Sequence, residues 1–408
     1  MDRPNVLIVI DKKDAEIVGI KHESEHWNIF WKIIDYNELH KKVAEIQKLV
    51  IKNDINFILY SRNDQVANRV SIGPITRKMR IGYSSFSGID EKDRIGQMKE
   101  CFNDFIKCNV KLNFNIAERK GDLSKGNYKG GMFSLIFDVE QLGGVRYGLP
   151  RILNLLDKYN IKATFFITNL MKKVYRNVLE EIRGRGHEVG IHGLYHEYLS
   201  SFNERVQEML IRIMISDFGG QVHGANFIGR MNKDTLQALV NNKIKYFVYP
   251  LINYYHLFSY QKLPITPSLV NISNKKIWMF PISVETYDSP LLSVKNMVDS
   301  AILQGEKSKF FHFSILCHDF RDGNLAHIKT TEKLIYYLIQ KGLEPITLKE
   351  LLGRLPTNES FRTLSVEELF NLRRVKISPP MTKQDFLGFI PENLIFLYKL
   401  IRRGHTCF

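Results

Sequence analysis

Three apolar runs in this chain each stop at a residue that can do chemistry, and this constrains the fold more than any other feature. Met132–Phe137 is followed by Asp138, Glu188–Ile191 by His192, and Phe310–Cys317 by His318. Short apolar runs with polar or glycine boundaries read as buried strands. Between them the apolar spacing changes to three and four, which predicts helices at 151–159, 178–183, 203–215, 233–242, 293–304 and 327–341. Further strands are expected at 161–167, 245–249 and 277–282. Strands and helices recurring in this way predict a parallel sheet, either open or closed into a (β/α) barrel. Chemistry in such folds gathers at the C-terminal ends of strands, where Asp138, His192 and His318 would fall.

Each strand end has its own chemical logic. Phe137-Asp138-Val139-Glu140 holds two carboxylates two apart, on one face if the chain stays extended. One could bind a metal while the other receives a proton. A strand-end Asp with a solvated Glu is the plainer reading of that stretch by itself. His192 and His196 are four apart; on one helical turn they would project together and could chelate one divalent ion. The spacing is not H-E-x-x-H, which argues against a zincin protease. His187 precedes its strand and reads as structural. His318 is followed by Asp319, and a His at such an end can act as a general acid oriented by a nearby carboxylate. His312, among aromatics, reads as a core residue. Cys317 alternates with His318 and should face the other side of the strand.

Taken in order, these elements resemble the polysaccharide deacetylase family, the NodB-homology domain of carbohydrate esterases. The resemblance rests on Phe137-Asp138-Val139-Glu140, on Lys162-Ala163-Thr164-Phe165-Phe166-Ile167, and on Gly186 through His192 with His196 in the place of the metal-binding pair. His318 and the stretch Lys341 through Leu352 complete it, so it covers about residues 131–353. It implies a distorted (β/α) barrel that removes acetyl groups from sugars with the help of a metal. Carried over by position, Asp138 would be the general base, His318 the general acid, and Glu140, His192 and His196 the metal ligands. The implied ion is one divalent metal, Zn²⁺ or alternatively Co²⁺, Mn²⁺ or Ni²⁺. A backbone N–H near Tyr195 would help hold the oxyanion. The sequence departs from the family in two places. Glu140 stands where Asp is commoner. The third motif, normally an Arg near a Pro, reads Gly224-Ala225-Asn226-Phe227-Ile228-Gly229-Arg230-Met231; Arg230 is its counterpart and Asn226 the rival position. An Arg there would orient the catalytic Asp through a charge-assisted bond.

The rest of the chain is organised around this unit. Residues 1–118 alternate strands (Val6–Ile10, Ile55–Tyr60) with a helix at 38–53 and read as a small α/β accessory domain without a Gly-rich phosphate loop. A Gly-rich linker spans 119–131, the barrel 132–354, and a helical extension 355–408, with helices expected at 365–374 and 391–403. Lys and Arg exceed Asp and Glu by 58 to 43, a net charge of +15 that favours anionic partners. No zinc finger, RNP motif or basic cluster points to nucleic acid. The expected partner is an acetylated glycan or a lipid-linked or nucleotide-linked sugar. The basic, apolar stretch Asn393–Arg403 could make a peripheral membrane contact.

The four Cys (Cys101, Cys108, Cys317, Cys407) form no disulfide framework and read as reduced thiols. The N-terminal apolar run ends too early for a secretory signal. The expected location is therefore cytoplasmic, with peripheral contact at the inner face of the membrane as a variant. The expected activity is that of a hydrolase of non-peptide C–N bonds, a carbohydrate deacetylase removing an acetyl group, with N-acetyl the first expectation, from a sugar in a polysaccharide, glycan or glycan precursor. The alternative is a catalytically degenerate member that binds glycans or serves as a scaffold. Oligomeric state is not set by the sequence.

Overall fold

A computed structural model describes residues 91–114, 131–229, 231–253, 265–286, 291–306, 311–355 and 361–372, together with short strands elsewhere and the single residue Glu45. In the N-terminal region, β1 (Val6–Val9), β2 (Ile33–Ile34), β3 (Phe57–Tyr60) and β4 (Arg77–Arg80) form a parallel sheet in the order β2-β1-β3-β4. The helix expected at 38–53 lies almost wholly outside the described residues, as do 119–130 and the helix expected at 391–403.

The large sheet is built around β5 (Met132–Val139). Phe133, Leu135, Ile136, Phe137 and Val139 are all buried. A central parallel strand is covered on both faces, so it reads as a near-continuous apolar run, broken here by the buried Ser134, rather than an alternation. Around β5 come β6 (Thr164–Ile167), β7 (Glu188–Ile191), β8 (Gly224–Ala225), β9 (Tyr246–Pro250), β11 (Ser268–Ile272), β12 (Lys275–Ile282), β13 (Val284–Glu285), β14 (His312–His318), β15 (Glu344–Pro345) and β16 (Thr363–Leu364). Their order is β13-β14-β5-β6-β7-β8-β9-β12-β11-β16, with β15 on the start of β5. The short strands β10 (Ile252–Asn253) and β17 (Val375–Lys376) pair separately.

Every pairing in the large sheet is parallel except β11 with β12. The chain of β12 lies against β9, and its continuation β13 lies against β14. Ser283, between them, donates its N–H to Ser314 O at 3.0 Å. The sheet is thereby curled into the distorted (β/α) barrel expected from the sequence, with helices around it. The helical C-terminal region is present as Val366–Asn371, capped by Ser365, whose Oγ accepts from Glu368 N. That region also adds β16 to the sheet edge beside β11.

The helix Glu91–Lys107 was grouped by the sequence with the N-terminal unit, yet its side chains pack with the barrel. Met98, Cys101, Phe102 and Phe105 are buried in the same core as Leu142, Val145 and Tyr175. Asp104 pairs with Arg146, and Leu112 N donates to Asn177 Oδ1 at 2.9 Å. Its apolar face is a stripe that must be covered, and the helices following β5 and β6 cover it.

Candidate metal and catalytic site

The register of the sheet alone brings the expected residues together. His318, the last residue of β14, is the register partner of Asp138 on β5. His192 follows Ile191 of β7, which pairs with Ala225 of β8, and Asn226 comes next. All of them lie at the C-terminal end of the sheet.

Glu140, His192 and His196 converge: one ligand atom from each lies within 4.8 Å of the others. His196 Nε2 is 2.5 Å and His192 Nε2 is 3.2 Å from Glu140 Oε2. Asp138 stands behind this group, its Oδ2 3.7 Å from His192 Nε2. His192 Nδ1 donates to the carbonyl of Asn226 at 2.6 Å, which leaves Nε2 facing the carboxylates. This is how a metal-ligating imidazole is ordinarily fixed, with one nitrogen tied to the protein and the other presented. Two imidazoles and one carboxylate form a donor set that a divalent ion fits, and it would leave positions for water and substrate.

The electrostatics follow from burial. Asp138, Glu140 and His192 are each less than a tenth exposed. Burial raises the Asp138 carboxyl above the ordinary range, against the pull of His192 and His318. Burial would also raise Glu140, but His196 and His192 overcome it and hold that carboxyl well below its usual value. His192 is lowered by burial and raised more by Asp138 and Glu140, ending at about 9. The two acids therefore differ: Glu140 is held as an anion among imidazoles, whereas Asp138 is the more basic carboxylate.

Arg230 lies outside the described residues. The rival position Asn226 makes the contact that was sought: its Nδ2 donates to both oxygens of Asp138, at 2.9 and 3.0 Å. The two His are not on a helical turn. Gly193 has φ +94° and His196 φ +68°, both in the left-handed region, and the segment is an irregular loop. The N–H of Tyr195 is donated to Glu197 Oε2 at 2.7 Å, so it is already engaged and is not an open oxyanion donor.

His187 is buried on the N-terminal side of β7, its Nδ1 accepting from Ala163 N at 3.2 Å. His312 is fully buried against Ser134 Oγ at 2.9 Å. Sequence reasoning missed Glu197, and it noted Asp319 only as the residue after His318. Asp319 is fully buried beside Gly144, and burial together with Glu140 pushes its carboxyl well above the usual range. Its only sequence signal was its place directly after His318. Asp322, four residues beyond His318, accepts the His318 N–H at 2.8 Å.

Residues 125–261 match the family model described as polysaccharide deacetylase. One curated relative, a peptidoglycan-N-acetylglucosamine deacetylase of Bacillus cereus, is 36% identical over 55 residues. That stretch is 14% of this chain and spans a fifth of the relative's length. Among solved structures, PuuE allantoinase aligns with a TM-score of 0.47 at 15% identity, over 61% of this chain and 100% of the other. A variant of the peptidoglycan deacetylase PdaC from Bacillus subtilis aligns with a TM-score of 0.37 at 18% identity, over 55% of this chain and 91% of the other.

Proposed function

We propose that this protein is a metal-dependent deacetylase that removes an acetyl group, with an N-acetyl group the first candidate, from a sugar of a polysaccharide, glycan or glycan precursor. The observation that carries the reading is the convergence of Glu140, His192 and His196 next to an acid, Asp138, that is not part of the triad. Glu140 Oε2 and the Nε2 atoms of His192 and His196 would hold the ion, with Zn²⁺ the first candidate. Such an ion, when bound, polarises an acetyl carbonyl and acidifies a water molecule.

The chain's own groups supply the proton transfers. Asp138, made more basic by burial and oriented by Asn226, accepts a proton from the attacking water. His318, beside it on β14, gives a proton to the sugar amine as the C–N bond breaks. The products are the free amino sugar and acetate, so one water is consumed for each bond cut. Closely packed donors and acids around one point suit a reaction in which charge builds up and must be neutralised locally.

The test is acetate release from N-acetylated oligosaccharides by the purified protein, with and without chelator. Release that stops with chelator and with Asp138→Asn is expected. No release from any acetylated glycan, together with no bound metal, would overturn the reading. Metal retained by Asp138→Asn with no functional loss would favour a glycan-binding role instead.

A further inference from the structure

His196 supplies one of the three donors, and its backbone is in a conformation that side-chain-bearing residues rarely adopt, φ +68°. A loop in that state needs outside support to persist. The support is visible. Glu197, the next residue, is buried, and its carboxylate reaches back over the loop. Oε1 accepts from Leu194 N at 2.9 Å and Oε2 from Tyr195 N at 2.7 Å. From the other side, Asn169 N and Leu170 N donate to the carbonyls of Gly193 and Leu194 at 3.0 and 2.8 Å. A Cβ added at Gly193 would stand 3.3 Å from Glu197 Oε2, so the carboxylate sits directly against the turn.

Resting on the reading of Glu140, His192 and His196 as a metal site, we infer that Glu197 is a positioning residue that shapes the loop and aims His196 at Glu140 before any ion arrives. Its two oxygens face main-chain N–H groups, and it is not a member of the three-donor group. A charged acceptor suits the task, because both N–H groups bond more strongly to a carboxylate than to a neutral amide. Glu197→Gln keeps the size but can accept at only one of the two positions, leaving an NH₂ group against the other N–H. Groups that orient metal ligands commonly change metal affinity by about 10–100-fold when removed.

The experiment is a cobalt titration of wild type, Glu197→Gln and Asn203→Ala, followed by visible absorption, with zinc competition for affinity and circular dichroism for folding. Asn203 caps the helix Glu204–Asp217 through Val206 N and has no part in the loop, so its variant reports plain stability loss. Glu197→Gln is expected to bind cobalt about 10–100-fold more weakly with an altered spectrum, and Asn203→Ala to bind as wild type does. Wild-type affinity and spectrum in Glu197→Gln would overturn the inference while leaving the metal site standing. No cobalt binding by wild type would overturn the metal site and the inference with it. Should Glu197→Gln fail to fold, amide hydrogen exchange on metal-free wild type decides. Protected Leu194 and Tyr195 amides support a preformed loop, and fast exchange at both overturns it.

Discussion

Asn226 holds Asp138 by both carboxylate oxygens, while its own backbone carbonyl accepts the Nδ1 proton of His192. One residue at the end of β8 therefore orients the proposed base and one proposed metal ligand together. A neutral amide makes this contact, at the rival position of the motif, while Arg230 lies outside the described residues.

Asn226→Ala should leave Asp138 free to rotate while His192 keeps its backbone partner. Positioning of a base is expressed in turnover more than in substrate binding, so kcat should fall about 10–100-fold with KM changed little. Steady-state kinetics on an N-acetylated oligosaccharide would measure this. An unchanged kcat would show that Asp138 needs no such hold.

Glu140→Gln should weaken metal binding at least about 100-fold, because it replaces an anionic ligand shared by two imidazoles. Isothermal titration with zinc and acetate release would be measured in parallel. Metal binding at wild-type strength would remove Glu140 from the ligand set.

His312 and His187 are both pushed down to about 3 by burial. Unfolded, each would titrate near 6.5, so between about 6.5 and 3 the unfolded chain binds more protons than the folded one. Their contribution is therefore fully present above pH 6.5 and is lost as the pH falls, at about 1.4 kcal/mol per unit for each ring. Ser134 Oγ donates to Ile346 O at 2.6 Å, so it accepts from His312 Nε2–H. Urea unfolding of His312→Gln should lose about 2 kcal/mol less than wild type between pH 7 and pH 5. Parallel losses would show that His312 is not the titrating group.

Phe102 lies on the helix Glu91–Lys107 but in the core of the barrel. Phe102→Ala should cost about 3 kcal/mol of barrel stability. Hydrogen exchange of the β5 and β6 amides would register it. Unchanged protection there would assign the helix to the N-terminal region instead.

The legible parts of the fold were those where local pattern and burial agree. The run Met132–Phe137 is apolar but for the buried, hydrogen-bonded Ser134 because β5 is covered on both faces. β11 was missed because its turn to β12 is Ser273-Asn274, both with positive φ, a hairpin signal weaker than Asn-Gly. β8 was missed because two residues, Gly224 and Ala225, carry no periodicity. The His192–His196 spacing was read as a helical turn, yet the main chain bends at Gly193 and is held by Glu197, a contact that no period announces.

By itself the sequence determined which residue types stand where apolar runs stop: Asp138, Glu140, His192, His196 and His318. Local burial patterns are written along the chain, so strand ends can be read from it. Tertiary structure decided which of these ends meet. Sheet order places β14 and β7 on either side of the β5–β6 pair, and loop geometry turns His196 back onto Glu140. It also chose Asn226 as the partner of Asp138, across 88 positions of sequence. Such pairings depend on the register of neighbouring strands and on side-chain reach, and neither leaves a mark in local spacing.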